Sequence, residues 1–179
     1  MPALPQKVLY ALSACLRGNP LAQQVFFHQQ QAQRLQQDLY DTAGDTAHGR
    51  KQILRILQLG HDLLAEWQDV SSRGDDKDEP SEDGSNNAAD SAAVVEEYRQ
   101  TWVTPAWCNV VLDKSRVLTR ADKRLPILSA WYPYCQTLWD WDRLQELLVL
   151  YEDDVDDDTK TLRQDLLQQI ATDFAAKKR

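Results

Sequence analysis

Residues 7–26 read Lys-Val-Leu-Tyr-Ala-Leu-Ser-Ala-Cys-Leu-Arg-Gly-Asn-Pro-Leu-Ala-Gln-Gln-Val-Phe, and this stretch decides the fold class. Val8, Leu9, Leu12, Cys15 and Leu16 recur at the 3.6-residue spacing of one helix face. Gly18-Asn19-Pro20 then interrupts the pattern: glycine suits the position just past a helix end, and proline suits the first turn of the next helix. A second helix is expected over residues 21–40, with Val25, Phe26, Ala32, Leu35 and Leu39 as its apolar residues. Its Gln-rich middle, 28–37, is polar enough to allow a break. Residues 41–46 read as a turn followed by a cap. Ile53, Ile56, Leu57, Gly60, Leu63, Leu64 and Trp67 make the stripe of a third helix.

Working outward, residues 71–93 differ in kind. They carry seven acids and two bases and no aromatic or large aliphatic side chain. Such a stretch cannot bury enough apolar surface to offset its ordering entropy, so a disordered acidic loop is expected there. Helical patterning returns with Val94, Val95, Tyr98 and Trp102, and Pro105 is expected to kink or restart the helix before Trp107, Val110 and Val111. Pro126 is expected to open a long helix through Leu150, bent or split at Pro133, with Leu128, Trp131, Tyr132, Cys135, Leu138 and Trp139 on its apolar side. Leu138 and Trp139 are expected in the core, and Trp141 should be the most exposed of the six tryptophans. The acids of 152–158 favour the start of a last helix, which buries Leu162, Leu166, Ile170 and Phe174. No segment alternates as a strand does. The expectation is an all-α chain: repeat helices over 1–70, a disordered loop over 71–93, and further helices over 94–179 that pack on the repeats.

Composition narrows the function. The chain has 179 residues, a net charge of −8 and 42% apolar residues. Nucleic-acid binding needs clustered Lys and Arg to release counterions, and this charge balance argues against it. No apolar run approaches the roughly 18 residues of a membrane span. Chemistry is as hard to find. His28, His48 and His61 sit on separate segments with no H-E-x-x-H spacing, the Asp run at 153–158 lacks the pattern of an EF-hand loop, and no phosphate loop or nucleophile elbow is present. Neither a metal nor another cofactor is expected, and the chain does not read as an enzyme. Cys15, Cys108 and Cys135 have no C-x-x-C spacing, so no zinc site or disulfide framework is legible. Cys15 and Cys135 fall on apolar helix faces and are expected in the core.

The 7–26 stretch resembles a junction between two armadillo-type repeats, in which a third helix ends in a short Asn-Pro turn and the next repeat begins. Residues 96–108, Glu-Glu-Tyr-Arg-Gln-Thr-Trp-Val-Thr-Pro-Ala-Trp-Cys, are more particular. Together they resemble the C-terminal part of the Sil-type nucleotide exchange factors for BiP, the chaperone ATPase of the endoplasmic reticulum. The resemblance covers 6–69 and 94–112, and the remainder only in helical pattern. It implies an armadillo-like solenoid that binds a BiP-like ATPase domain and promotes ADP release, in protein folding and translocation. It also implies a luminal location, although no signal peptide or retrieval signal is legible in this chain. The cytosolic Fes-type exchange factors share the repeat, and a generic helical-repeat scaffold is the alternative of another class.

The resemblance places the partner on the exposed side of the third helices. Opposite the apolar stripe of the first such helix lie Lys7, Tyr10, Ala14 and Arg17, and on the second lie Lys51, Arg55, Gln58 and Asp62. Lys7, Tyr10, Arg17, Lys51, Arg55 and Gln58 are the expected partner contacts, a basic stripe with a tyrosine on an acidic protein. The first helix starts without a repeat to cover it, so Val8, Leu9, Leu12 and Leu16 are not all expected to be buried.

Overall fold

A computed structural model of the protein describes residues 6–28, 30–73, 102–148 and 156–177. The described residues form eight helices and no strand: α1 (Gln6–Leu16), α2 (Pro20–His28), α3 (Gln31–Asp41), α4 (Ala47–Arg73), α5 (Pro105–Arg116), α6 (Ala121–Cys135), α7 (Trp141–Leu148) and α8 (Asp157–Lys177). The fold is an all-α, armadillo-like stack. The acidic stretch 71–93 lies outside the described residues apart from the end of α4, as do Val94, Val95, Tyr98 and the side chains of Trp67 and Phe174.

The helix ends follow local chemistry. Gly18 takes a left-handed φ of 65°, and the Asn19 carboxamide accepts a hydrogen bond from the Ala22 amide at 3.1 Å to cap α2. Thr46 caps α4 by accepting from the Gly49 amide, and Thr104 caps α5 by accepting from the Trp107 amide with Pro105 in the first turn. Asp156 accepts from the Thr159 amide at 2.7 Å at the start of α8, and that hydroxyl and amide lower its pKa below the usual carboxylate value. Each side chain satisfies a donor that the first helical turn leaves without an internal partner.

Stacking follows a register. The Tyr10 ring of α1 meets Arg55 of α4, and Arg17 meets Asp62, so both contacts join residues 45 apart in the chain. Two contacts with one constant offset mean that α1 and α4 run parallel, one repeat apart. Between α4 and α6 the pattern returns: Trp131 Nε1 donates to the Leu57 carbonyl at 3.1 Å, and Tyr134 faces His61, at offsets of 74 and 73. The excess over one 45-residue repeat is about 28 residues, the length of the undescribed segment 74–101, which holds most of the acidic stretch. The ladder α1–α4–α6 continues to α8, while α3 packs against α2, α4 and α5, and α5 packs on α6 and α7. Period and parallel third helices together are those of a helical-repeat stack.

The core runs along this ladder. Leu35, Leu39, Ile53, Ile56, Leu57, Leu63 and Leu64 are buried, and burying each contributes roughly 1.5–3 kcal/mol. Trp102, Trp107 and Trp131 join them, with Trp107 ring centroids 5.3 Å from Trp102 and 5.6 Å from Trp131. Gly60 makes room for that cluster: a β-carbon there would lie 2.8 Å from Trp102 and 3.0 Å from Trp131. No side chain fits, so α4 carries its glycine where two indoles approach its backbone.

Several expectations are corrected. The helix expected over 21–40 is broken inside the Gln-rich middle where a break was allowed: Gln30 adopts a left-handed φ of 56° between α2 and α3. That turn buries Phe26 and Phe27 and leaves Val25 exposed. Pro126 does not open a helix: α6 begins at Ala121 and keeps both Pro126 and Pro133 on its exposed side. The helix ends at Cys135, so Trp139 is buried from the connection to α7 and not from a long helix, and Leu138 is only partly covered. Trp141, half-buried, is the most exposed tryptophan whose side chain is described. On α1, Leu9 and Leu16 are buried, Leu12 is half-buried and Val8 is exposed.

The cysteines depart furthest from expectation. Cys108 near the start of α5 and Cys135 at the end of α6 form a buried disulfide with their Cα atoms 5.5 Å apart, and Cys15 is an exposed free thiol. α5 and α6 form a helical hairpin, so residues at its two open ends come together although 27 positions separate them. Linear spacing carries no trace of that pairing.

Candidate partner-binding face

The α1–α4 register brings most of the expected contacts onto one face. On α1, Tyr10 and Arg17 are seven residues apart and share a side. On α4, Lys51, Arg55, Gln58 and Asp62 follow the i, i+4, i+7, i+11 spacing of one stripe. The Arg55 guanidinium carbon sits 4.6 Å from the centre of the Tyr10 ring, and Arg55 Nη1 donates to Gln58 Oε1 at 3.3 Å. Tyr10, Arg55 and Gln58 therefore form one unit that bridges two neighbouring helices.

Arg17 is held differently. Its guanidinium pairs with the Asp62 carboxylate, and His61 Nδ1 lies 3.6 Å from the other Asp62 oxygen. One turn further along, Glu66 Oε2 accepts from the Gly18 amide at 3.0 Å and from Gln23 Nε2 at 2.6 Å. Gln23, buried beneath, also donates to the Leu16 carbonyl at 2.8 Å, which satisfies the end of α1. Asp62 and Glu66 thus tie the α1–α2 corner to α4.

Lys7 and Lys51 are exposed, and neither forms an ion pair among the described residues. The stripe is therefore not uniformly basic: one arginine is neutralised by a neighbour, one is stacked on a tyrosine, and two lysines stand in solvent. On the next rung, His61 contacts Tyr134 edge-on with centroids 6.5 Å apart, which extends the aromatic character of the face to α6. Sequence reasoning missed Glu66, His61 and Tyr134. The 45-residue offset that pairs Arg17 with Asp62 was the available signal for the first two helices. Tyr134 had none, because the acidic stretch displaces its register.

Among the described residues no group of three His, Cys, Asp or Glu side chains is placed to hold a metal ion, and no helix is long and apolar enough to cross a membrane.

A parallel ladder with such a face is what a repeat-built adaptor presents to a protein partner. The family model described as the SIL1/FES1/HPBP1 C-terminal domain matches residues 1–166. The chain belongs to that family. Its members carry a nucleotide exchange factor domain and are co-chaperones that bind the ATPase domains of Hsp70 chaperones, not a catalytic enzyme family. No curated protein and no solved structure matches the chain.

Proposed function

We propose that this chain is a nucleotide exchange factor for a BiP-type chaperone of the endoplasmic reticulum, acting in protein folding and translocation. It binds the chaperone's ATPase domain through the exposed side of α1 and α4, with Lys7, Tyr10, Arg17, Lys51, Arg55 and Gln58 on that side. Exchange follows from linkage: a protein that binds the nucleotide-free ATPase more tightly than the ADP-bound form must weaken ADP binding by the same factor. The chain needs no chemistry of its own for this.

What supports the luminal form of this reading over the cytosolic Fes-type one is the buried Cys108–Cys135 disulfide. Structural disulfides persist in oxidising compartments and are rare where glutathione and thioredoxin keep thiols reduced. The experiment is release of a fluorescent ADP from two isolated ATPase domains, one of BiP type and one of the cytosolic type, with thiol titration of the protein as isolated from cells. Release from the BiP-type domain by a protein with one titratable thiol is expected. Release from the cytosolic domain alone, by a protein with three titratable thiols, refutes the luminal reading, and release from neither refutes exchange.

A further inference from the structure

We infer that Arg55 is the charged anchor of the partner-binding face and Tyr10 its positioning residue, and that the group they receive is a carboxylate on the partner. This rests on the exchange-factor reading above and narrows it, since the six residues on that side no longer carry equal weight.

The environments of the four cations divide them. The Arg17 guanidinium is committed to Asp62, so a partner carboxylate would have to displace an existing ion pair and would gain little. Lys7 and Lys51 are exposed ammonium groups on long stems. A partner that fixes either must freeze several rotatable bonds, which consumes much of a surface ion pair's attraction. Arg55 is exposed yet already held. Its guanidinium lies 4.6 Å from the Tyr10 ring centre, one of its nitrogens donates to Gln58, and it pairs with no carboxylate among the described residues.

A planar guanidinium stacked on an aromatic face keeps its outer N–H edge free to meet a carboxylate with two parallel hydrogen bonds. Ordering it beforehand removes part of the entropy cost of binding. Arginine and tyrosine are also enriched among the few residues that dominate interface energetics. Of the four cations, Arg55 is the one that is both held in place and without a carboxylate partner among the described residues. An acidic segment of the partner therefore finds a prepared counter-charge at Arg55, which favours one docking register.

Tyr10 belongs to α1 and Arg55 to α4, so the anchor is assembled only when the two rungs stack. The contact that joins the repeats and the contact that receives the partner share one side chain. Tyr10 acts through Arg55, and its effect must vanish when Arg55 is gone.

The test measures binding of the full chain to the BiP-type ATPase domain by titration, with melting temperature as a control on each variant. Arg55→Ala is expected to weaken binding about 30-fold and to reduce the salt dependence of affinity. Arg55→Lys should recover little of the loss, because an ammonium cannot reproduce the fork. Tyr10→Ala should weaken binding about 5-fold, as loss of an exposed cation–π contact implies, and Tyr10→Phe should stay within about twofold. The double variant Tyr10→Ala/Arg55→Ala should bind no more weakly than Arg55→Ala alone. Additive losses in the double variant would overturn the positioning role, and an Arg55→Ala protein that binds like the unmodified chain would overturn the anchor. If the unmodified chain binds neither type of ATPase domain, the exchange-factor reading and this inference fall together. If it binds and these variants do not weaken binding, only the inference falls.

Discussion

The α1–α4 contact and the α5–α6 hairpin are both helix pairs, but they are held by opposite means. Of the described α1 side chains, only Leu9 and Leu16 are buried. Leu12 is half-buried against the core, and the remaining contacts are polar and open to solvent: Arg17 with Asp62, Tyr10 with Arg55, and the Gly18 amide with Glu66. Between α5 and α6 lie Trp107, Val111, Leu112, Leu128 and Trp131, all buried, with the Cys108–Cys135 bond across the open end. Trp139 Nε1 donates to the Cys108 carbonyl at 2.7 Å, and the buried Arg124 guanidinium donates to the Leu147 carbonyl at 2.9 Å to hold α7. Exposed pairs are worth at most about 1 kcal/mol each, whereas buried aromatic packing is worth several times that. Stability should therefore be graded along the ladder, lowest at the rung that carries the candidate anchor.

The largest effects should come from the strong end. Trp131 is fully buried, packs on Trp107, fits against Gly60 and donates to the Leu57 carbonyl. Trp131→Ala should cost about 3–5 kcal/mol in urea unfolding, and a loss below about 1 kcal/mol would show that the aromatic cluster does not join α4 to α6. Removing the disulfide comes next. A cross-link 27 residues apart limits the unfolded chain, and Cys108→Ser/Cys135→Ser should lower stability by about 3 kcal/mol. Reduction of the unmodified protein should give the same loss, while the exposed Cys15 reacts with thiol reagents in both states.

Smaller, and readable by pH, is the contribution of Tyr132. Burial first, and then the nearby Asp173 carboxylate of α8, push its hydroxyl pKa up to about 12 from an ordinary value of 10.0. The unfolded chain begins to lose this proton near pH 10, while the folded chain keeps it. The stabilisation is complete below pH 10 and is lost as pH rises toward 12, at about 1.4 kcal/mol per unit. Tyr132→Phe should remove that part of the alkaline slope. An identical slope in the variant would mean that the Tyr132 hydroxyl is not buried beside Asp173 in the folded protein.

The same contrast explains what could be read from the sequence. Leu9 and Leu16, the stripe from Ile53 to Leu64, and Leu166 with Ile170 were legible because each core face repeats at helical spacing. The Asn19-Pro20 turn and the cap that ends 41–46 were legible because they are local. Three features were not. The polar run 28–37 allowed a break, but no glycine or proline marks Gln30, the residue that makes it with a left-handed φ. Pro126 read as a helix start and Pro133 as a bend or split, yet both face solvent inside one helix whose packing against α4, α5 and α8 outweighs the lost backbone bonds. The disulfide depends on which ends of a hairpin meet, and that is tertiary information. On the candidate face, helical spacing placed Lys51, Arg55 and Gln58 on one side. Only the stacking register revealed that Arg17 is spoken for by Asp62 and that Arg55 is propped by Tyr10.

The smallest predicted effect tests the weak end directly. Glu66 accepts from the Gly18 amide and from Gln23, and so fixes the corner where α1 turns into α2 against α4. Glu66→Ala removes both bonds but leaves Gln23 its bond to the Leu16 carbonyl, so the cost to global stability should be about 1 kcal/mol or less. Local stability should respond more. Freed from that corner, α1 keeps only Leu9 and Leu16 as deep contacts, and its amides should exchange several-fold faster, while those of α5 and α6 change little because their opening is governed by buried contacts elsewhere. Asp62→Ala should act on the same amides, and the two changes together should give less than the sum of their separate effects, since both loosen one corner. If instead α1 amides exchange as slowly as those of α5 in the unmodified protein, the grading along the ladder is wrong. If Glu66→Ala accelerates exchange equally in α1 and α5, the stack opens as one cooperative unit, and its weak end is no weaker than its core.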